Sequence, residues 1–105
     1  MFNLHCPPYA SGLDTCQLLK DDLSPITEAG QPVVGPAGST AVRAAIERYQ
    51  PVLSLHGHIH ESRAVAKIGP TLAINPGSEY PEGVLRGALV DFDSSGVRSY
   101  VLTAG

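Results

Sequence analysis

The chain has 105 residues, 43% of them apolar, a normal globular share that excludes disordered or collagen-like composition. Its net charge is -3, and the two lysines (Lys20, Lys67) and five scattered arginines form no basic run, which excludes a nucleic-acid footprint built on phosphate neutralisation. Charged residues reach only 16%, against about 25% in an average domain, so part of the surface is expected to be covered by something else.

Length sets one domain at most, residues 1–105, with enough chain for a real core. No apolar run approaches the roughly 18 residues of a membrane helix. The amino terminus lacks a basic segment followed by an apolar one, so the cytoplasm is the expected compartment. Cys6 and Cys16 match neither zinc-ribbon spacing nor a redox Cys-x-x-Cys, and reduced structural thiols are expected.

In chain order, Phe2 to His5 reads as the end of a strand, stopped by Pro7-Pro8. Cys6 to Gly38 is predicted to be mostly loop, with a short helical turn at Leu18 and Leu19. Ser39 offers an N-cap, and Val42, Ala45, Ile46 and Tyr49 repeat at helical spacing until Pro51. The pattern then switches to strands. Val52 to His56 is a short apolar run. Ala64 to Ile68 and Thr71 to Asn75 flank Gly69-Pro70 as a hairpin, and Leu85 to Phe92 and Val97 to Leu102 flank Asp93-Ser94-Ser95-Gly96 as a second. Asp91 and Asp93 are assigned to that turn. One strand, a long loop, one helix and five strands make the fold class α/β with a substantial sheet.

All four histidines fall in two places: His5 at a strand end, and His56, His58 and His60 within Leu55-His56-Gly57-His58-Ile59-His60. Residues two apart in an extended chain point to the same side, with Cα atoms about 6.5 Å apart. His58 and His60 so placed could each take one metal of a close pair, and Gly57 would let the backbone turn towards them. Imidazole suits zinc, manganese, iron and nickel. On spacing alone two readings stay open, a transition-metal site and histidines that merely cap a turn.

Three blocks then occur in a telling order. Phe2-Asn3-Leu4-His5 resembles the strand-end histidine segment of calcineurin-like metallophosphoesterases; Gly57-His58-Ile59-His60 matches their Gly-His-x-His motif; Ile74-Asn75-Pro76-Gly77-Ser78 is similar to the Asn-Pro-Gly-Ser turn that follows. The resemblance runs through nearly the whole chain. It implies the carboxyl-terminal half of a four-layer α/β/β/α sandwich, mainly one sheet with at least one helix. It also implies two divalent transition metals (Mn, Zn, Fe or Ni) per complete site, hydrolysing a small phosphate ester. His5 and His58 would hold one metal and His60 the other. The family's Asp-x-His, Gly-Asp-x-x-Asp and Gly-Asn-His segments precede the His5 position, so the amino-terminal Asp and Asn ligands are expected to be missing. No catalytic residue beyond the metal ligands is then expected here, and the isolated chain should hydrolyse little or nothing. Its first strand should leave an open edge, covered in a homo-oligomer or by a separate amino-terminal half.

His56 lies outside the family motif and is expected to be a packed histidine or one whose ring N–H orients a ligand. Glu61 reads as a solvated turn carboxylate or as an acceptor for a ligand imidazole. Ser78 is a candidate substrate contact. Gly35-Pro36-Ala37-Gly38-Ser39-Thr40 lacks the lysine and spacing of a phosphate loop, and N-capping is its expected role. The competing functional class is a non-catalytic metal-binding or interaction module derived from the same fold.

Overall fold

Residues 1–18 and 27–105 are described by the structure, a computed structural model. In chain order the elements are β1 (Phe2–Asn3), β2 (Thr15–Gln17), β3 (Thr27–Glu28), β4 (Gln31–Pro32), β5 (Val34–Pro36), α1 (Thr40–Tyr49), β6 (Leu53–Leu55), β7 (Ala64–Ile68), β8 (Thr71–Asn75), a 3-10 turn at Tyr80–Glu82, β9 (Arg86–Asp93) and β10 (Gly96–Ala104). The chain is mixed α/β, mostly strand with one helix among the described residues.

The central sheet has the order β1-β6-β8-β7, with β1, β6 and β8 parallel and β7 antiparallel to β8. Five consecutive residues of β8, Thr71 to Asn75, are buried, because the strand is covered on both faces. Alternation divides them. Ala73 joins Leu13, Ile46 and Ile68 on the face covered by α1. Leu72 and Ile74 join Leu53 on the face covered by the β9–β10 hairpin, which contributes Ala88, Val90, Val97 and Leu102. Full burial of an Ile or Leu stabilises by about 1.5–3 kcal/mol, so Ile46 and Ile74, both fully buried, anchor the two layers.

Helix α1 starts where the sequence places it. The Ser39 hydroxyl accepts the Val42 N–H at 3.1 Å, and Gln50 closes the helix in a left-handed conformation just before Pro51. Gly38 is required before the cap: a Cβ there would lie 2.5 Å from the Pro7 carbonyl oxygen and 2.8 Å from Asp14 Oδ2. The Asp93 turn also behaves as read, its carboxylate accepting the Ser95 N–H and pairing with Arg98.

The stretch from Cys6 to Gly38 differs from the mostly loop reading. It holds two antiparallel pairs, β2 with β5 and β3 with β4. The turn between β3 and β4 is Ala29-Gly30 with φ of 52° and 79°, the two positive values a tight hairpin needs. Alanine seldom occupies such a position, so the turn carries no sequence signal. Prolines 32 and 36 sit at strand ends, where a missing N–H costs least. Leu18 is not helical; its N–H donates to the Val33 carbonyl, extending the β2–β5 pair. Leu19 lies outside the described residues.

Strand β1 forms one edge of the central sheet, and its pairing is with β6. Beside it, between β1, β6 and β9, opens a largely apolar cavity of about 560 Å³ lined by Asn3, His5, Leu53, Leu55, Val90 and Phe92 among others. On the outer face of the hairpin, Leu89 and Val101 are cross-strand partners 70% and 58% exposed, with Leu85 78% exposed nearby. No described helix is long and apolar enough to cross a membrane.

Candidate metal centre

Parallel pairing of β1, β6 and β8 fixes which loops meet. Each strand runs the same way, so the segments after Asn3, Leu55 and Asn75 all leave one end of the sheet. These segments carry His5, His56-Gly57-His58 and Pro76-Gly77-Ser78. The ladder continues past the strands. Leu4 N–H donates to Leu55 O, His56 N–H to Ile74 O and Gly57 N–H to His5 O at 3.1, 2.9 and 2.9 Å.

The outcome is that His5 and His58 meet. Their rings lie edge to face with centroids 5.2 Å apart, and both residues are exposed. Gly57 is beside them: a Cβ there would sit 3.4 Å from His5 Nδ1, in ordinary contact. The backbone turn that the sequence assigns to Gly57 falls instead on His58, whose φ is 62°. With Ile59 N–H bonded to Gly57 O at 2.6 Å, His58 is the centre of a three-residue turn of the rare positive-φ kind. Such a conformation in a non-glycine residue costs on the order of 1 kcal/mol or more and is held only by its surroundings.

That turn also corrects the extended reading of His58 and His60. After it, Ser62 N–H donates to Ile59 O, and the chain has reversed. His60 lines a second cavity of about 280 Å³ together with Glu61, Arg63, Ser78, Glu79 and Arg86, and neither His5 nor His58 lines it. Ser78 is joined to His60 through the backbone, Ser78 N–H to His60 O at 3.0 Å. Arg86 pairs with Glu79 across this cavity. Among the described residues, no three His, Cys, Asp or Glu side chains are grouped so as to hold a metal ion. The ring contact in the structure is thus between His5 and His58, while His60 lines the second cavity.

Buried polar groups hold the loops. Asn75, 1% exposed, donates from Nδ2 to Leu13 O and Ile59 O at 3.0 and 2.9 Å, while its Oδ1 accepts the Gly77 N–H at 3.0 Å. One side chain thus ties the histidine turn, the segment before β2 and the Asn-Pro-Gly-Ser turn together. Gly77 has φ of 79°, and a Cβ on it would lie 3.1 Å from His60 O, which explains glycine there. Ser62 adds a second tie, donating to Gly12 O and accepting the Thr15 N–H.

His56 is 6% exposed, and burial pushes its pKa below the usual histidine range against two carbonyl hydrogen bonds that raise it. Its ring does not reach a neighbouring imidazole; Nδ1 faces the carbonyls of Leu4 and Cys6, and Nε2 faces the Ser54 hydroxyl. Asp14, wholly buried, accepts N–H groups from Ala10, Ser11 and Gly38. Sequence reading missed Asp14, Ser54 and Ser62: no spacing marks them, and the partners of Ser62 and the Gly38 partner of Asp14 are distant in sequence. Burial foremost, then Glu61 and Asp14, pushes the Cys16 thiol up from its usual range.

The strain at His58 has a measurable consequence. His58→Gly is expected to unfold at a denaturant concentration equal to or above the wild type, because glycine adopts positive φ freely. His58→Ala is expected to be less stable than His58→Gly by about 1 kcal/mol. Equal stability of the two variants in urea unfolding would remove the argument that the ring is held against a backbone cost.

No family model and no solved structure matches the chain. A stretch of 74 residues, 69% of this chain, is 35% identical to an uncharacterized protein of Methanocaldococcus jannaschii, MJ1162. The match spans 28% of that protein's length.

Proposed function

We propose that this chain is the carboxyl-terminal part of a metal-dependent phosphoesterase in which His5 and His58 hold one divalent transition metal. The observation that carries the reading is the contact between these two exposed imidazoles, brought together at the carboxyl ends of adjacent parallel strands. Open α/β sheets bind their ligands at that end. Supporting it, the three sequence blocks that resemble calcineurin-like metallophosphoesterases leave the sheet side by side. The layering of α1, central sheet and β9–β10 hairpin is compatible with three layers of an α/β/β/α sandwich.

Two accessible imidazoles suit zinc, manganese, iron or nickel. They form an incomplete set, since a close metal pair needs carboxylates and none joins them among the described residues. In this reading the remaining ligands come from a polypeptide outside these 105 residues. A bound metal supplies a water of lowered pKa and stabilises charge on phosphate. The chain's own residues bind and orient: His5 and His58 as ligands, Asn75 as the tie that fixes the histidine turn, and Ser78 with His60 at the second cavity, where a phosphate-ester substrate is proposed to extend. In the same reading His60 would hold a second metal together with ligands supplied from outside these residues. A cytoplasmic setting belongs to the same reading, which the free thiols of Cys6 and Cys16 support. The bare two-imidazole set also favours a second reading, a non-catalytic metal-binding module.

Titration of the chain with Zn²⁺ or Mn²⁺ by calorimetry is expected to show about one ion bound, weakened at least tenfold in His5→Ala and in His58→Ala. His60→Ala should change it little. Binding unaffected by either of the first two variants contradicts the site. Hydrolysis of an aryl phosphodiester by the chain alone, lost in His58→Ala, contradicts its incompleteness. Hydrolysis that appears only when an amino-terminal half is added separates the enzyme from the non-catalytic module.

We further propose that the open β1 edge and the exposed Leu85, Leu89 and Val101 are covered by a second copy or by that amino-terminal half. Sedimentation at tens of micromolar is expected to show association; a monodisperse monomer, unchanged by the added half, contradicts it.

A further inference from the structure

We infer that His56 is the positioning residue of the paired imidazoles: its buried ring fixes the backbone on both sides of His5 and so sets the His5 ring against His58. Nδ1 of His56 lies 2.7 Å from Leu4 O and 3.1 Å from Cys6 O. Carbonyl oxygens only accept, so Nδ1 carries the proton and donates to both. Nε2 is then the acceptor for the hydroxyl of Ser54, 2.6 Å away and wholly buried. The two carbonyls thereby select the Nδ1–H tautomer, and the Ser54 hydroxyl donates to the Nε2 that this leaves unprotonated.

The arrangement answers a backbone problem. Successive carbonyls of a regular strand alternate in direction, so a neighbouring strand cannot receive three in a row. Here the carbonyls of Leu4, His5 and Cys6 are all taken by two adjacent residues, His56 through its ring and Gly57 through its N–H. The chain at His5 has therefore left regular strand geometry, and the ring supplies the donor that the ladder lacks. A buried aliphatic side chain of equal size would fill the space but leave both carbonyls without that donor.

The chemistry also predicts which replacement rescues. Asparagine places an amide nitrogen close to where Nδ1 stood; glutamine places its amide near the Nε2 position and leaves the carbonyls unserved. In ¹⁵N-imidazole NMR of the 105-residue chain, His56 is expected as the Nδ1–H tautomer, with cross-relaxation between the His5 and His58 ring protons. His56→Asn should keep that ring contact. His56→Gln and His56→Leu should lose it while retaining dispersed methyl signals from the sheet. With Co²⁺ as the probe, His56→Asn is expected to bind close to the wild type, and His56→Gln and His56→Leu about 10- to 100-fold more weakly.

The cobalt readout rests on the proposed metal reading, whereas the ring contact does not. A wild type that binds no cobalt while the contact follows this order of variants defeats the metal reading and upholds the positioning role. An Nε2–H tautomer in the wild type, or a His5–His58 contact that survives in His56→Gln and His56→Leu, overturns the positioning role. Should those two variants fail to fold, the wild-type tautomer and the His56→Asn contact decide it.

Discussion

Parallel alignment of β1, β6 and β8 is the constraint on which the rest of the molecule depends. Three strands running the same way must deliver their following turns to one end of the sheet, however far apart the turns lie in sequence. The histidine after β1 thus meets the histidine after β6, and the Asn-Pro-Gly-Ser turn after β8 lies alongside. A one-residue slip between β1 and β6 would carry His5 to the opposite face and separate the pair. Phe2 opposes such a slip, because the present register packs it against the cluster of Leu13, Ile46, Ile68 and Ala73.

Burying so much polar structure beside a small core is costly unless each group is paired. Among the described residues, no buried side-chain nitrogen or oxygen lacks a partner. Asn75, His56, Ser62 and Asp14 each bond backbone groups of a different loop, so the site end of the sheet is held by side chains where no ladder runs. A net contribution of about 1 kcal/mol per bond understates their role, since removing one partner leaves buried carbonyls or N–H groups unsatisfied. This rigid support is what allows His58 to occupy a positive-φ turn and still present its ring beside His5.

Much of the framework was legible from local signals. Ser39 and Pro51 bracket α1, Gly69-Pro70 marks the β7–β8 turn, and the Asp93 to Gly96 segment marks the β9–β10 turn, each through residues whose conformational preference is strong. The β3–β4 hairpin was not legible, because Ala29 adopts a conformation that alanine does not advertise. Candidate ligands were visible as residue types, and their family resemblance grouped His5 with His58. The extended backbone assumed between His58 and His60 is replaced by a three-residue turn at His58, to which two-residue alternation does not apply. Asp14 and Ser62 carry no periodic or spacing signal; Ser62 and, through Gly38, Asp14 act by long-range contacts that only the folded chain displays.

The central claim is that His5 and His58 together ligate one metal ion, and counting imidazoles on that metal tests it most directly. Zinc K-edge X-ray absorption of the chain loaded with less than one equivalent of Zn²⁺ should show two histidine rings per zinc, at about 2.0 Å from metal to nitrogen. One ring would remain when either His5 or His58 is replaced by alanine. A spectrum with one ring or none in the wild type would contradict the account, as would two rings that persist after both replacements.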